Sequence, residues 1–121
     1  DMCDLYHLLL NIEDAKIQGE IFNAGYQNLS IREIAETVKR VVQEEMPGRP
    51  EIQIVTTPTN DLRSYHINSD KITAKLGFKP KRGIEDAARD LTRAMKAGKL
   101  PNSMEDEQYS NVRVLKSRKI A

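Results

Sequence analysis

Apolar residues recur at helical spacing in four stretches of this chain. Met2, Leu5, Tyr6, Leu9 and Ile12 fall on one face, with Asp1 placed as an N-cap, and predict a first helix. In "SIREIAETVKRVVQEEM" the apolar stripe is Ile31, Ile34, Ala35, Val38, Val41 and Val42. Ser30 and Glu33 have the spacing of a capping box at its start, and Pro47, Gly48 and Pro50 close it. A short helix runs through Ile72 and Leu76, capped by Asn68 or Ser69 and stopped by Gly77, where a left-handed residue costs least. The last, "IEDAARDLTRAMKAG", places Ile84, Ala87, Ala88, Leu91, Ala94 and Met95 on one face and ends at Gly98.

Between the helices the pattern shortens. "EIFNAG" reads as a brief strand at Ile21 and Phe22, ended by Gly25. "EIQIVT" alternates Ile52 and Ile54 before β-branched Val55 and Thr56, and Tyr65 to Ile67 adds a third, very short strand. Strands alternating with helices predict an α/β fold with parallel pairing, because parallel neighbours need crossovers of this length. A few short strands and about four helices do not make a sheet covered on both faces, so additional chain is expected to complete it. The open edge would leave this chain alone marginal, or would pair two copies as a homodimer. Residues 1–98 read as one subdomain and 99–121, which lack a clear period, as an irregular tail.

Composition narrows the functional classes. With 121 residues there is length for one domain, and 19 basic against 18 acidic residues leave a formal net charge of +1. No field of one sign points to nucleic acid or to a membrane surface. A single cysteine, Cys3, excludes an internal disulfide and, with only His7 and His66 beside it, argues against zinc. A reducing, cytoplasmic setting fits. Apolar runs are far too short to span a bilayer.

Several site chemistries are missing. No glycine-rich fingerprint for a dinucleotide pyrophosphate occurs, no Tyr is followed four residues later by Lys, and neither histidine has a nucleophile motif beside it. The stretch "TTPTNDLRSYHINSDKI" is different, since it holds Asp61, Arg63 and Tyr65 within five positions. The guanidinium fork can donate to phosphate oxygens while a carboxylate accepts from sugar hydroxyls, a combination that suits a nucleotide diphosphate. The same residues also suit a solvated turn with a local Asp61–Arg63 contact. Tyr65 can serve as core or, through its apolar body and polar tip, as a nucleoside contact. Asn23 and Tyr26 flank Gly25 in a loop, where turn chemistry and site chemistry use the same residue types.

Three stretches in this order, "GEIFNAGYQNLSIREIAETV", "NDLRSYHINSDKITAKLGFKPK" and "GIEDAARDL", resemble the C-terminal part of extended short-chain dehydrogenase/reductase proteins. These form the NAD-dependent nucleotide-sugar epimerase/dehydratase family. The first carries the family's Asn-x-Gly, loop and Ser-capped helix. The second is similar to its Gly-Asp-x-Arg-x-x-x-x-Asp stretch with the following helix, and the third to its closing helix. Asp1 and "DMCDLYHLLL" look like the helix that follows a Val-x-Asp strand end in the family.

The resemblance implies a C-terminal fragment of an NAD(P)-binding Rossmann-type protein, with the Rossmann domain and catalytic residues upstream. This portion would bind the nucleotide-sugar substrate and hold neither NAD nor NADP itself, so it would be inactive alone. Position by position it implies Asp61 near the ribose, Arg63 near the nucleotide or diphosphate, Tyr65 near the nucleoside and Asn23 at the edge of the site. Two departures stand out. Pro58 occupies the place of an arginine that many members set on the diphosphate, and Asn68 stands where an aspartate is usual. Either Arg63 takes over the phosphate, or the substrate is not a standard nucleotide diphosphosugar. The alternatives to an epimerase or dehydratase are a reductase of the same family, and a non-enzymatic binding or interaction domain on the same scaffold.

Overall fold

A computed structural model of the chain describes residues 1–60 and 63–118. Its regular elements are helices: α1 (Met2–Asn11), α2 (Ile31–Glu45), α3 (Asp70–Leu76), α4 (Ile84–Lys96) and α5 (Asn111–Ser117), with 3-10 turns at Asp14–Lys16 and Glu107–Tyr109. Among the described residues there is no β-strand. The expected α/β, Rossmann-type fragment is therefore corrected to an all-helical arrangement.

The reason lies in how the two kinds of structure satisfy the backbone. A helix closes its hydrogen bonds within one segment, whereas a strand exists only if a neighbour supplies the ladder. Residues around Ile21, at 51–56 and at 65–67 carry strand-like side chains, but none of them pairs backbone to backbone with another such stretch. The four helices expected from apolar spacing form because their bonding needs no such neighbour.

Local chemistry sets their ends. At α2 the Ser30 hydroxyl accepts from the Glu33 amide at 3.2 Å, and the Glu33 carboxylate accepts from the Ser30 amide at 2.7 Å, a complete capping box. That backbone amide first, and the Ser30 hydroxyl second, hold the Glu33 carboxyl below its usual range. Gly77 ends α3 with φ 67°, in the left-handed region that glycine enters without a Cβ penalty. Asp1 does occupy the N-cap of α1, but its side chain makes no capping bond. Its Oδ2 instead accepts from the amides of Lys81 and Arg82, at 3.0 and 2.8 Å, and so ties α1 to the loop after α3.

Two compact units divide the chain, Asp1–Arg89 and Asp90–Ala121, the second described to Arg118. The core of the first joins Leu5 of α1, Ile72 of α3 and Phe78, with Leu8, Leu9, Phe22, Ala24 and Leu76 packed around them. The Thr73 hydroxyl donates to the Phe78 carbonyl at 3.0 Å and ties the backbone after Gly77 to α3. Glu20 takes both Lys71, at 2.7 Å, and Lys75 of α3. Lys71 also donates to the Ile21 carbonyl at 2.8 Å and stands 5.1 Å from the Phe22 ring centre.

α2 and the start of α4 are joined by charge. Arg40 reaches Glu44 and Glu85 at 2.8 and 2.6 Å, while Arg89 reaches Glu45, Glu44 and Glu85 at 2.8 to 3.0 Å. Arg40 first and Arg89 second lower both Glu44 and Glu85 below the ordinary carboxylate range. In the second unit, within the stretch 99–121 that reads as an irregular tail, α5 packs on the turn at Glu107–Tyr109. The Ser110 hydroxyl caps it, and the Arg113 guanidinium donates to the carbonyls of Glu105 and Met104 at 2.9 and 3.2 Å. A seven-residue helix held by caps and one guanidinium leaves too short a period to read from sequence. No described helix is long and apolar enough to cross a membrane.

Candidate functional site

Two loops some forty residues apart in sequence meet in the first unit. Asn28 brackets Ile67: its Oδ1 accepts from the Ile67 amide at 2.8 Å and its Nδ2 donates to the Ile67 carbonyl at 3.0 Å. A carboxamide carries one acceptor and one donor in the spacing of a peptide group, so this side chain pairs with the backbone as a single strand residue would. The expected short strand at Tyr65 to Ile67 is replaced by that side-chain bracket.

A second pair of bonds lies beside it. The Gly25 amide donates to the Ser69 hydroxyl at 2.8 Å, and the hydroxyl donates to the Gly25 carbonyl at 3.0 Å. Ser69 thus spends its hydroxyl on the loop and not on capping α3, where the Asp70 amide is taken by Asn68 Oδ1 at 2.8 Å. Gly25 fits closely, since a Cβ there would stand 3.1 Å from Ile67 Cγ2 and the isoleucine would have to give by a few tenths of an ångström. The glycine of "NAG" therefore permits the close approach of the second loop.

Around this junction stand the residues singled out from sequence. Asn23 is exposed in the first loop, between Phe22 and Ala24, which turn toward the core. Arg63 and Tyr65 lie in the second loop, with the guanidinium 6.0 Å from the ring centre, at the outer limit of a cation–π contact. Tyr65 is 74 % exposed, so within this chain it is not a core residue. Asp61 lies outside the described residues.

Two residues that bring these loops together, Asn28 and Ser69, were not singled out as site residues from the sequence. Neither stands in a pattern that distinguishes a long-range bracket from ordinary loop chemistry. His66, which has no nucleophile motif beside it, places its Nε2 3.4 Å from Asn28 Nδ2.

A cavity of about 380 Å³ is lined by Tyr26, Gln27, Thr37, Arg40, Lys81 and Glu85 among others. None of Asn23, Arg63 and Tyr65 lines it. Gly83 opens α4 at its rim, and Gln27 Oε1 lies where a Cβ on Gly83 would be, at 2.5 Å. Among the described residues no group of three His, Cys, Asp or Glu could hold a metal ion.

The glycine at the start of α4 spends its amide within the chain. A pyrophosphate cradle needs successive glycine amides free at a helix N-terminus, whereas Gly83 is a lone glycine whose amide donates to Asp86 Oδ2 at 2.9 Å. No family model matches the chain, and neither a curated protein nor a solved structure matches it.

Proposed function

We propose that this chain is the substrate-binding part of a cytoplasmic, NAD(P)-dependent nucleotide-sugar epimerase or dehydratase. The observation that carries this reading is the junction of its two loops. The Asn-x-Gly loop and the Arg-x-Tyr segment, which bear the family-like motifs separately in sequence, are held against each other by Asn28 on Ile67 and by Ser69 on Gly25.

Arg63 and Tyr65 form the gripping pair. A guanidinium offers a planar fork of donors to a diphosphate, and an exposed tyrosine offers a face for the nucleoside with a hydroxyl at its tip. Asn23 stands at the edge of the site, and Asp61 is assigned to the ribose hydroxyls by the resemblance. Because Pro58 has no donor to give, Arg63 carries the diphosphate in this reading. The hydride chemistry and its cofactor, NAD or NADP, belong to a nucleotide-binding domain elsewhere in the protein. What this chain contributes is orientation of the sugar, and orientation of bound reactants lowers barriers by about 7–11 kcal/mol at best.

The test uses the full-length protein. Arg63→Ala is expected to raise KM for the nucleotide sugar with a smaller effect on kcat, because uniform binding is lost. An unchanged KM would leave Arg63 a surface charge. The 121-residue chain alone is expected to show no epimerase or redox turnover, and turnover by it would overturn the reading.

A further inference from the structure

We infer that Asn28 is the positioning residue of the Arg63–Tyr65 segment, through its bracket on the Ile67 peptide group. This rests on the reading of Arg63 and Tyr65 as a nucleotide-sugar contact.

The geometry leaves Asn28 one orientation. Its oxygen must face the Ile67 amide and its nitrogen the Ile67 carbonyl, because the reverse would set donor against donor and acceptor against acceptor. Nδ2 is therefore the atom 3.4 Å from His66 Nε2, and it can only donate. A donor on that side requires His66 Nε2 to accept, which fixes the proton of the neutral ring on Nδ1. Asn28 cannot flip without losing both bonds to Ile67.

Ile67 lies two residues after Tyr65 and four after Arg63, so releasing it frees the segment that presents both groups. Asn28 touches no substrate in this scheme and acts through Ile67.

Binding is measured on the full-length protein with uridine-, thymidine- and guanosine-diphosphate sugars as probes. Asn28→Ala is expected to weaken the best probe about tenfold, the size of one or two lost hydrogen bonds, and Arg63→Ala is measured beside it. If no probe binds, or Arg63→Ala binds as the parent does, the functional reading falls and the inference with it. If Arg63→Ala weakens binding and Asn28→Ala does not, the inference alone falls.

Two magnetic-resonance measurements separate positioning from mere stability. At neutral pH, His66 is expected to carry its proton on Nδ1, and the other tautomer would overturn the bracket. The protection factor of the Ile67 amide is expected to fall in Asn28→Ala with the amides of α2 unchanged, and an unchanged protection factor, or an equal fall throughout α2, would overturn the proposal.

Discussion

α2 and the stretch from Glu51 to Ile67 are of similar length and carry comparable apolar content, yet they end in opposite states. α2 is a continuous helix with both ends defined and Val41 fully buried. The 51–67 stretch contains no regular element among its described residues and leaves Val55 and Tyr65 largely exposed. It is held from outside by side chains: Lys39 on Glu51 at 2.7 Å and Asn28 on Ile67. The difference teaches where backbone bonding comes from. A helix brings its own partners, whereas a strand-like sequence without a neighbouring strand borrows carboxamides and ion pairs in place of a ladder.

The sharpest break of this contrast lies in the core. Ile72 is 1 % exposed, and Ile72→Ala is expected to cost about 2–5 kcal/mol in denaturant unfolding, through lost burial and the cavity left behind. Val55→Ala, in the stretch that buries little, is expected to change stability by no more than about 0.5 kcal/mol. Equal costs at the two positions would mean that 51–56 packs as a strand does.

Next in size is the junction itself. Gly25→Val would press branched methyls into Ile67, part the two loops and strain the Ser69 bonds, for about 1–3 kcal/mol. Loss of protection at the amides of Gly25 and Ile67, with the amides of α2 unchanged, is the expected pattern in hydrogen exchange. Uniform loss would instead make the junction part of the helical core.

At the start of α2, Ser30→Ala removes the acceptor of the capping box and is expected to cost about 0.5–2 kcal/mol. The loss should fray the first turn of the helix and leave the 63–67 segment untouched, which chemical shifts would show directly.

The smallest effect concerns the tether between the first loop and α3. The bonds from Lys71 and then Lys75 lower the Glu20 carboxyl from 4.5 to about 2. A depressed folded-state value means that the charged form favours the fold. The contribution is complete above about pH 4.5 and disappears as pH falls toward 2. In Glu20→Gln this part of the acid dependence is expected to be missing, so the melting temperatures of variant and parent should converge as pH approaches 2. A constant gap between them at all pH values would show that the tether acts through packing and not through charge.

How legible the site was follows the same division. Arg63, Tyr65 and Asn23 could be named because their chemistry is written in residue type, and the resemblance rests on short motifs around them. Gly25 was visible only as a loop residue, and the steric reason that favours glycine there, Ile67 at 3.1 Å from a Cβ, depends on a contact 42 positions away. Asn28 and Ser69 each have two uses for a polar side chain, one local and one across the junction, and sequence favours the local one. Asp1 shows the same substitution of partners: placed as a cap, it serves the amides of Lys81 and Arg82 instead.

By itself the sequence determined the four principal helices, the capping box at Ser30 and Glu33 and the stop at Gly77, because helical hydrogen bonds and caps join residues within a few positions. Tertiary structure decided whether the β-branched stretches became strands, where the amide of Ile67 found its partner, and which loops faced each other. Those outcomes depend on the arrival of groups forty or more residues distant, and no local pattern encodes which group arrives.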